Sequence, residues 1–146
     1  TRALKHIAII ASEPHYVGSE QHPKIVTYLQ NELGKLGLQA QLQKGYTLTE
    51  WGNLAHSTNV LARIPGTSNG KALLLLSHFD SAPHSASPGA ADDASGVATL
   101  LEGTRALIHS GKKHKNDIII LFTDAEELGL NGAALFVSKH PWAKDV

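Results

Sequence analysis

Apolar positions recur along this chain in two rhythms, and their order changes near the middle. Leu4, Ile7, Ala8 and Ala11 fall at helical spacing and stop before Glu13-Pro14, which predicts a short amphipathic helix over Arg2 to Ala11. Ile25, Val26, Leu29, Leu33 and Leu36 form one stripe over Pro23 to Leu36, with Pro near its start and Gly34 and Gly37 near its end, a second helix. Leu38, Ala40 and Leu42 then alternate with Gln39, Gln41 and Gln43, the period of a half-exposed strand at a sheet edge. Asn59 to Ile64 predicts another strand, ended by Pro65-Gly66. The turn Thr67 to Gly70 leads into Ala72 to Ser77, an unbroken aliphatic run typical of a central strand. These last two strands are candidates for antiparallel neighbours.

From there the pattern is strand, loop, helix, strand, helix. A polar loop over Ser81 to Asp93 precedes a helix from Ser95 to Ser110, whose apolar face is Val97, Leu100, Leu101, Leu107 and Ile108. Gly111 and the basic run Lys112 to Lys115 end it and suit its C-terminal dipole. Asp117 to Thr123 predicts a second buried strand, and Asn131 to Lys139 a helix ended near Pro141. Buried strand, crossover helix and buried strand make a βαβ unit, so the expected class is α/β with a mixed, partly parallel sheet between helical layers. No repeat or low-complexity tract divides the 146 residues, which are read as a single domain.

Charge and composition narrow the chemistry. Thirteen basic and thirteen acidic residues cancel, which argues against a nucleic-acid partner, and no apolar run approaches the ~20 residues of a membrane span. Cysteine is absent, so disulfides, thiolate metal sites and cysteine nucleophiles are excluded, and any transition metal must sit on His, Asp and Glu. Nine histidines make such a site worth seeking. The chain begins at Thr1 with no signal-peptide pattern and reads as an excised portion or a processed product.

In open α/β sheets ligands bind beyond the carboxyl ends of the strands, and three clusters lie there. His78 and Asp80, two apart in extended chain, project from one face, so one can ligate a metal while the other orients it. Asp92-Asp93 lies on a Gly-containing approach to a helix N-terminus, where carboxylates are stabilised in ionised form. Glu126-Glu127 follows the second buried strand, where one Glu can face a metal and the other a water. Taken singly these are a loop histidine, a helix cap and a solvated first turn; their joint position at one sheet end makes a His-and-carboxylate metal site.

The segments SHFDS (Ser77 to Ser81), PGAADDASGVA (Pro88 to Ala98) and AEELGL (Ala125 to Leu130) resemble the zinc exopeptidase family of bacterial leucyl aminopeptidases, glutamate carboxypeptidase and glutaminyl cyclases, family twenty-eight of the metallopeptidases. EPHYVGSEQH, followed by a helix and LGL, resembles the family's opening, so the similarity covers nearly the whole chain. Twelve positions separate Asp80 from Asp92 (92 − 80), which sets it apart from a related family with a much longer insertion there.

The resemblance implies a three-layer zinc-peptidase fold and two zinc ions. It makes His78 a ligand of one zinc with Asp80 as its orienting partner, Asp92 the bridging ligand with a cis bond to Asp93, and Glu127 a ligand of the second zinc. Glu126 is implied as the general base that takes a proton from the attacking water and passes it to the leaving amine. The implied activity is removal of N-terminal residues from a peptide substrate, with a non-catalytic binding domain or a glutaminyl-cyclase-like acyl transferase as alternatives. Asp124 stands where many relatives have Gly, and Ala91 where many have Asn or Asp. The family's further carboxylate and final His are not found by Val146, and His140 lies too close to Glu127 to replace them. The chain thus reads as the N-terminal portion of a catalytic domain, expected to hold zinc incompletely and to be a poor peptidase alone. His-Phe-Asp-Ser, Gly-Ala-x-Asp-Asp-Ala and His-Pro-Trp-Ala resemble the membrane-anchored, endoplasmic-reticulum-metallopeptidase-like branch, which implies an extracytoplasmic setting. His6, His15, His22, His56, His84, His109 and His114 are expected at the surface, His84 beside the site, and Trp51 and Trp142 are expected to pack.

Overall fold

In the computed structural model, which describes residues 1–146, the helical stripes become α1 (Arg2–Ile10), α2 (His22–Lys35), α3 (Ser95–Ser110) and α4 (Asn131–Lys139). The strands are β1 (Gln41–Leu48), β2 (Leu54–Ile64), β3 (Leu73–His78) and β4 (Ile118–Thr123). They form one four-stranded sheet in the order β1-β2-β4-β3. β4 runs antiparallel to β2 and parallel to β3, so the sheet is mixed as expected.

Two faces of this sheet are covered. Val60, Ala62, Ile64, Ile118, Ile120 and Phe122 point to one side and pack with Ile10 of α1, Ile25, Leu29 and Leu33 of α2, and Val97 and Leu101 of α3. Leu61 and Leu121 point to the other side and meet Phe136 of α4, with Trp142 against them. The period of two along β2 and β4 thus makes three layers from one sheet. α3 ends at Gly111, whose left-handed φ of 62° lets its N–H reach Ile108 O.

Five sequence expectations change. β1 starts at Gln41 and runs to Leu48, while Leu38 and Ala40 pack beside the core. β2 begins five residues early, because the ladder from Gln41↔Leu61 to Leu48↔Leu54 holds its polar stretch in place. β2 and β3 are not neighbours: the crossover through α3 returns β4 parallel to β3, between them. β3 accordingly lies at an edge of this sheet, with Leu73 and Leu76 52% and 53% exposed, despite its all-apolar run. Trp142 packs as expected, whereas Trp51, in the β1–β2 hairpin, is 72% exposed.

At the end of the sheet away from the carboxyl ends of β3 and β4, Arg63 bonds Asp117 at 2.7 Å and pairs with Asp145, and Gly66 N donates to Asp117 Oδ1 at 2.6 Å. This network ties the β2–β3 connection to the start of β4.

Candidate metal centre

The parallel pairing sets His78 beside Thr123, so the residues after β3 and after β4 leave the sheet together. Phe79 N donates to Thr123 O at 3.0 Å and its ring is fully buried, which anchors the chain between His78 and Asp80. Beyond β4 the backbone turns sharply: Ala125, Gly129 and Leu130 all have positive φ. For Ala125 and Leu130 that conformation costs energy that the surrounding bonds must offset. Asn131 N closes the turn onto Ala125 O, Gly132 N closes it onto Asp124 O, and Asn53 Nδ2 holds Leu128 O.

Asp80, 1% exposed, joins the two strand ends. Its Oδ1 accepts Glu126 N at 3.0 Å and its Oδ2 accepts Glu127 N at 3.2 Å. His78 Nδ1 lies 3.1 Å from Asp80 O and 3.4 Å from Asp80 Oδ1, which leaves Nε2 facing outward. There it meets Asp92 Oδ1 at 2.9 Å and Glu126 Oε2 at 3.7 Å. Donor atoms of His78, Glu126 and Glu127 lie within 4.8 Å of one another. All five residues singled out in the sequence therefore meet in one place.

The adjacent aspartates divide their work. Asp92 is largely solvent-exposed on the side facing His78. Asp93 turns inward: Oδ1 accepts Gly96 N at 2.9 Å in the first turn of α3, and Oδ2 accepts Ser77 Oγ at 2.6 Å. One thus holds the first turn of α3 and the other faces the histidine. The peptide bond between them is cis.

Negative charge gathers around this imidazole. Burial disfavours a charged His78, but hydrogen bonds to Asp80 and Asp92 and the charges of Asp80 and Glu126 outweigh it and raise its pKa to about 10. Glu127 is pushed above the usual carboxylate range by burial first, then by the charges of Asp92 and Glu126. Carboxylates crowded around one imidazole Nε2 are a hard, oxygen-rich donor set with one nitrogen, which suits zinc.

Two residues of this region escaped sequence reasoning. His22, grouped with surface histidines, places Nε2 2.8 Å from Asp124 Oδ1, and Asp124 is fully buried two residues ahead of the Glu pair. His15 is also buried, with its N–H on Ser81 Oγ at 2.8 Å. None of these contacts has a local spacing signal, since their partners lie dozens of residues away. His140 takes no part in the cluster: it stacks on Phe136, and its Nδ1 accepts Trp142 N.

A three-layer α/β fold thus gathers these side chains where two parallel strands end. The chain belongs to Peptidase family M28, whose sequence profile matches residues 59–146. It is 35% identical over 153 aligned positions to the vacuolar membrane protease of Candida tropicalis, covering 94% of this chain and 16% of that protein. It is 32% identical over 157 positions to the human endoplasmic reticulum metallopeptidase 1, covering 96% and 17%. Among solved structures it resembles a Zn-dependent exopeptidase from Parabacteroides distasonis (28% identity, TM-score 0.73, 86% of this chain and 46% of that one). A glutaminyl cyclase from Porphyromonas gingivalis is similar (27%, TM-score 0.72, 85% and 44%). The chain thus spans about a sixth of these curated relatives and less than half of these solved chains.

Proposed function

We propose that this chain contributes the first part of a two-zinc centre that hydrolyses the peptide bond at a peptide's N-terminus. The observation that carries the reading is the convergence of His78 Nε2, Asp92, Glu126 and Glu127 on one small space, organised by the buried Asp80. His78, Asp92 and Glu127 would hold the metal. Zinc bound there supplies Lewis acidity, polarising a scissile carbonyl and acidifying a water.

The remaining work belongs to the chain. Glu126, about one-third exposed and 3.7 Å from His78 Nε2, would take a proton from the attacking water and deliver it to the departing amine. Asp80 orients His78 through Nδ1 and fixes the backbone of both glutamates, so one carboxylate controls the direction of an imidazole and two further carboxylates. Asp93 holds the Asp92 loop to Ser77 of β3 and to the start of α3.

The membrane-protease relatives suggest a lumenal or extracytoplasmic setting, although no helix here is long and apolar enough to cross a membrane. Similarity to solved glutaminyl cyclases favours one alternative, cyclisation of an N-terminal glutamine with the same Glu as acid and base. Metal analysis after zinc loading, followed by assays on aminoacyl chromogenic and N-terminal glutaminyl peptides, tests the proposal. Zinc retention with release of the aminoacyl group supports it; ammonia release from the glutaminyl peptide alone selects the alternative, and no retained zinc removes both.

A further inference from the structure

We infer that His22 and Asp124 form a positioning pair that sets the geometry of the Glu126–Glu127 turn, an inference that rests on the metal-centre reading above. Asp124 is fully buried, and an isolated carboxylate there would be costly unless its oxygens were satisfied. Oδ2 accepts Thr58 N from β2 at 2.7 Å; Oδ1 accepts Ala125 N at 2.9 Å and His22 Nε2 at 2.8 Å. Its backbone is held as well, with Asp124 N on Asn59 Oδ1 at 3.0 Å and Gly132 N on Asp124 O at 2.8 Å.

The consequence lies in the turn. Three consecutive N–H groups, those of Ala125, Glu126 and Glu127, end on carboxylate oxygens: Asp124 Oδ1, Asp80 Oδ1 and Asp80 Oδ2. Asp80 is positioned from the β3 side and Asp124 from the β4 side. His22 touches both. Its ring packs on Phe79, centroids 5.3 Å apart, between His78 and Asp80, while its Nε2 bonds Asp124. His22 itself opens α2, with its N–H on Ser19 Oγ at 3.3 Å. The N-terminus of α2 therefore clamps the two strand ends whose side chains converge on the metal space. A residue without a carboxylate at 124 could not accept these three bonds, so the clamp is specific to this side chain.

The test compares His22→Leu, which removes the donor, with His22→Gln, whose amide reaches as far as Nε2. Hydrogen exchange of the 125–127 amides is measured in metal-free protein, and cobalt(II) affinity and its visible d–d spectrum are measured by titration. His22→Leu is expected to raise exchange at these amides by about tenfold relative to β4, to weaken cobalt binding by about tenfold and to shift the spectrum; His22→Gln restores all three. Unchanged amides in His22→Leu overturn the inference, as does a uniform rise in exchange with an unshifted spectrum, which marks a merely structural contact. Should His22→Leu not fold, His22→Asn, too short to reach Asp124, replaces it with the same readings. A wild-type chain that binds no cobalt while its amides still respond removes the metal reading and leaves the clamp; normal cobalt binding with unresponsive amides does the reverse.

Discussion

Replacing Gly132 by Ala should destabilise this protein, although the substitution puts a better helix former into α4. A Cβ at Gly132 would press into Asp124 O and Asn59 Oδ1 and lie 2.6 Å from Asp124 N. That last separation is roughly 1 Å short of the ~3.5 Å at which non-bonded heavy atoms rest. The neighbours cannot swing aside. Two are main-chain atoms at the end of β4, and Asn59 is pinned by its own bond to Gly132 O at 2.8 Å. Overpacking of this kind costs about 1–3 kcal/mol, and the rigid surroundings favour the upper end. Helix propensity returns at most about 1 kcal/mol, leaving a net loss of about 2 kcal/mol. With an unfolding entropy of about 2.1 cal/mol/K per residue, a chain of this length has about 0.3 kcal/mol/K, so Tm should fall by roughly 6–7 °C. Thermal unfolding of metal-free protein followed by circular dichroism measures this. Gly34→Ala and Gly103→Ala, at helix positions with nothing within 4 Å, serve as controls and should gain about 0.5–1 kcal/mol. A Gly132→Ala protein as stable as wild type, or more so, would refute the reasoning, since propensity alone would then have decided the sign.

His78→Ala should lower zinc affinity by well over tenfold relative to wild type, because it removes the only nitrogen of the cluster; calorimetric titration checks it. Glu126→Gln should leave zinc affinity near wild type while reducing any peptide hydrolysis by about 10²–10⁴. A large loss of zinc instead would reassign Glu126 as a ligand. Asp117 has its pKa held below the ordinary 3.8, first by the Gly66 N–H and then by Arg63. Its contribution to stability is therefore complete above pH 3.8 and lost as pH falls through the lower folded value. Urea midpoints on either side of pH 3.8 should show this decline, and Asp117→Asn should flatten it.

Much of the architecture was legible in the chain because it depends on local period. The stripe over Ile25 to Leu33 and the run after Ser95 could bury themselves only as helices against a sheet, and α3 and α4 lie over their expected residues. The His78, Asp80, Asp92, Glu126 and Glu127 set was legible too, since strand ends bring such residues to one side of a parallel pair. What the local pattern could not contain was partner choice between distant segments. The run of four leucines in β3 reads as central, yet its place in the sheet follows from the crossover that puts β4 between it and β2. His22 looks like any helix-starting histidine until folding brings its Nε2 to a carboxylate 102 residues away. Asp124 looks like a tolerated departure until its burial requires every bond it makes. The sequence by itself determined which side chains could gather at the strand ends, because residue type and strand-end position are encoded locally. Only the tertiary structure decided what aims them, because the buried bonds from Asp80, Asp124 and His22 form between elements that chain spacing leaves unrelated.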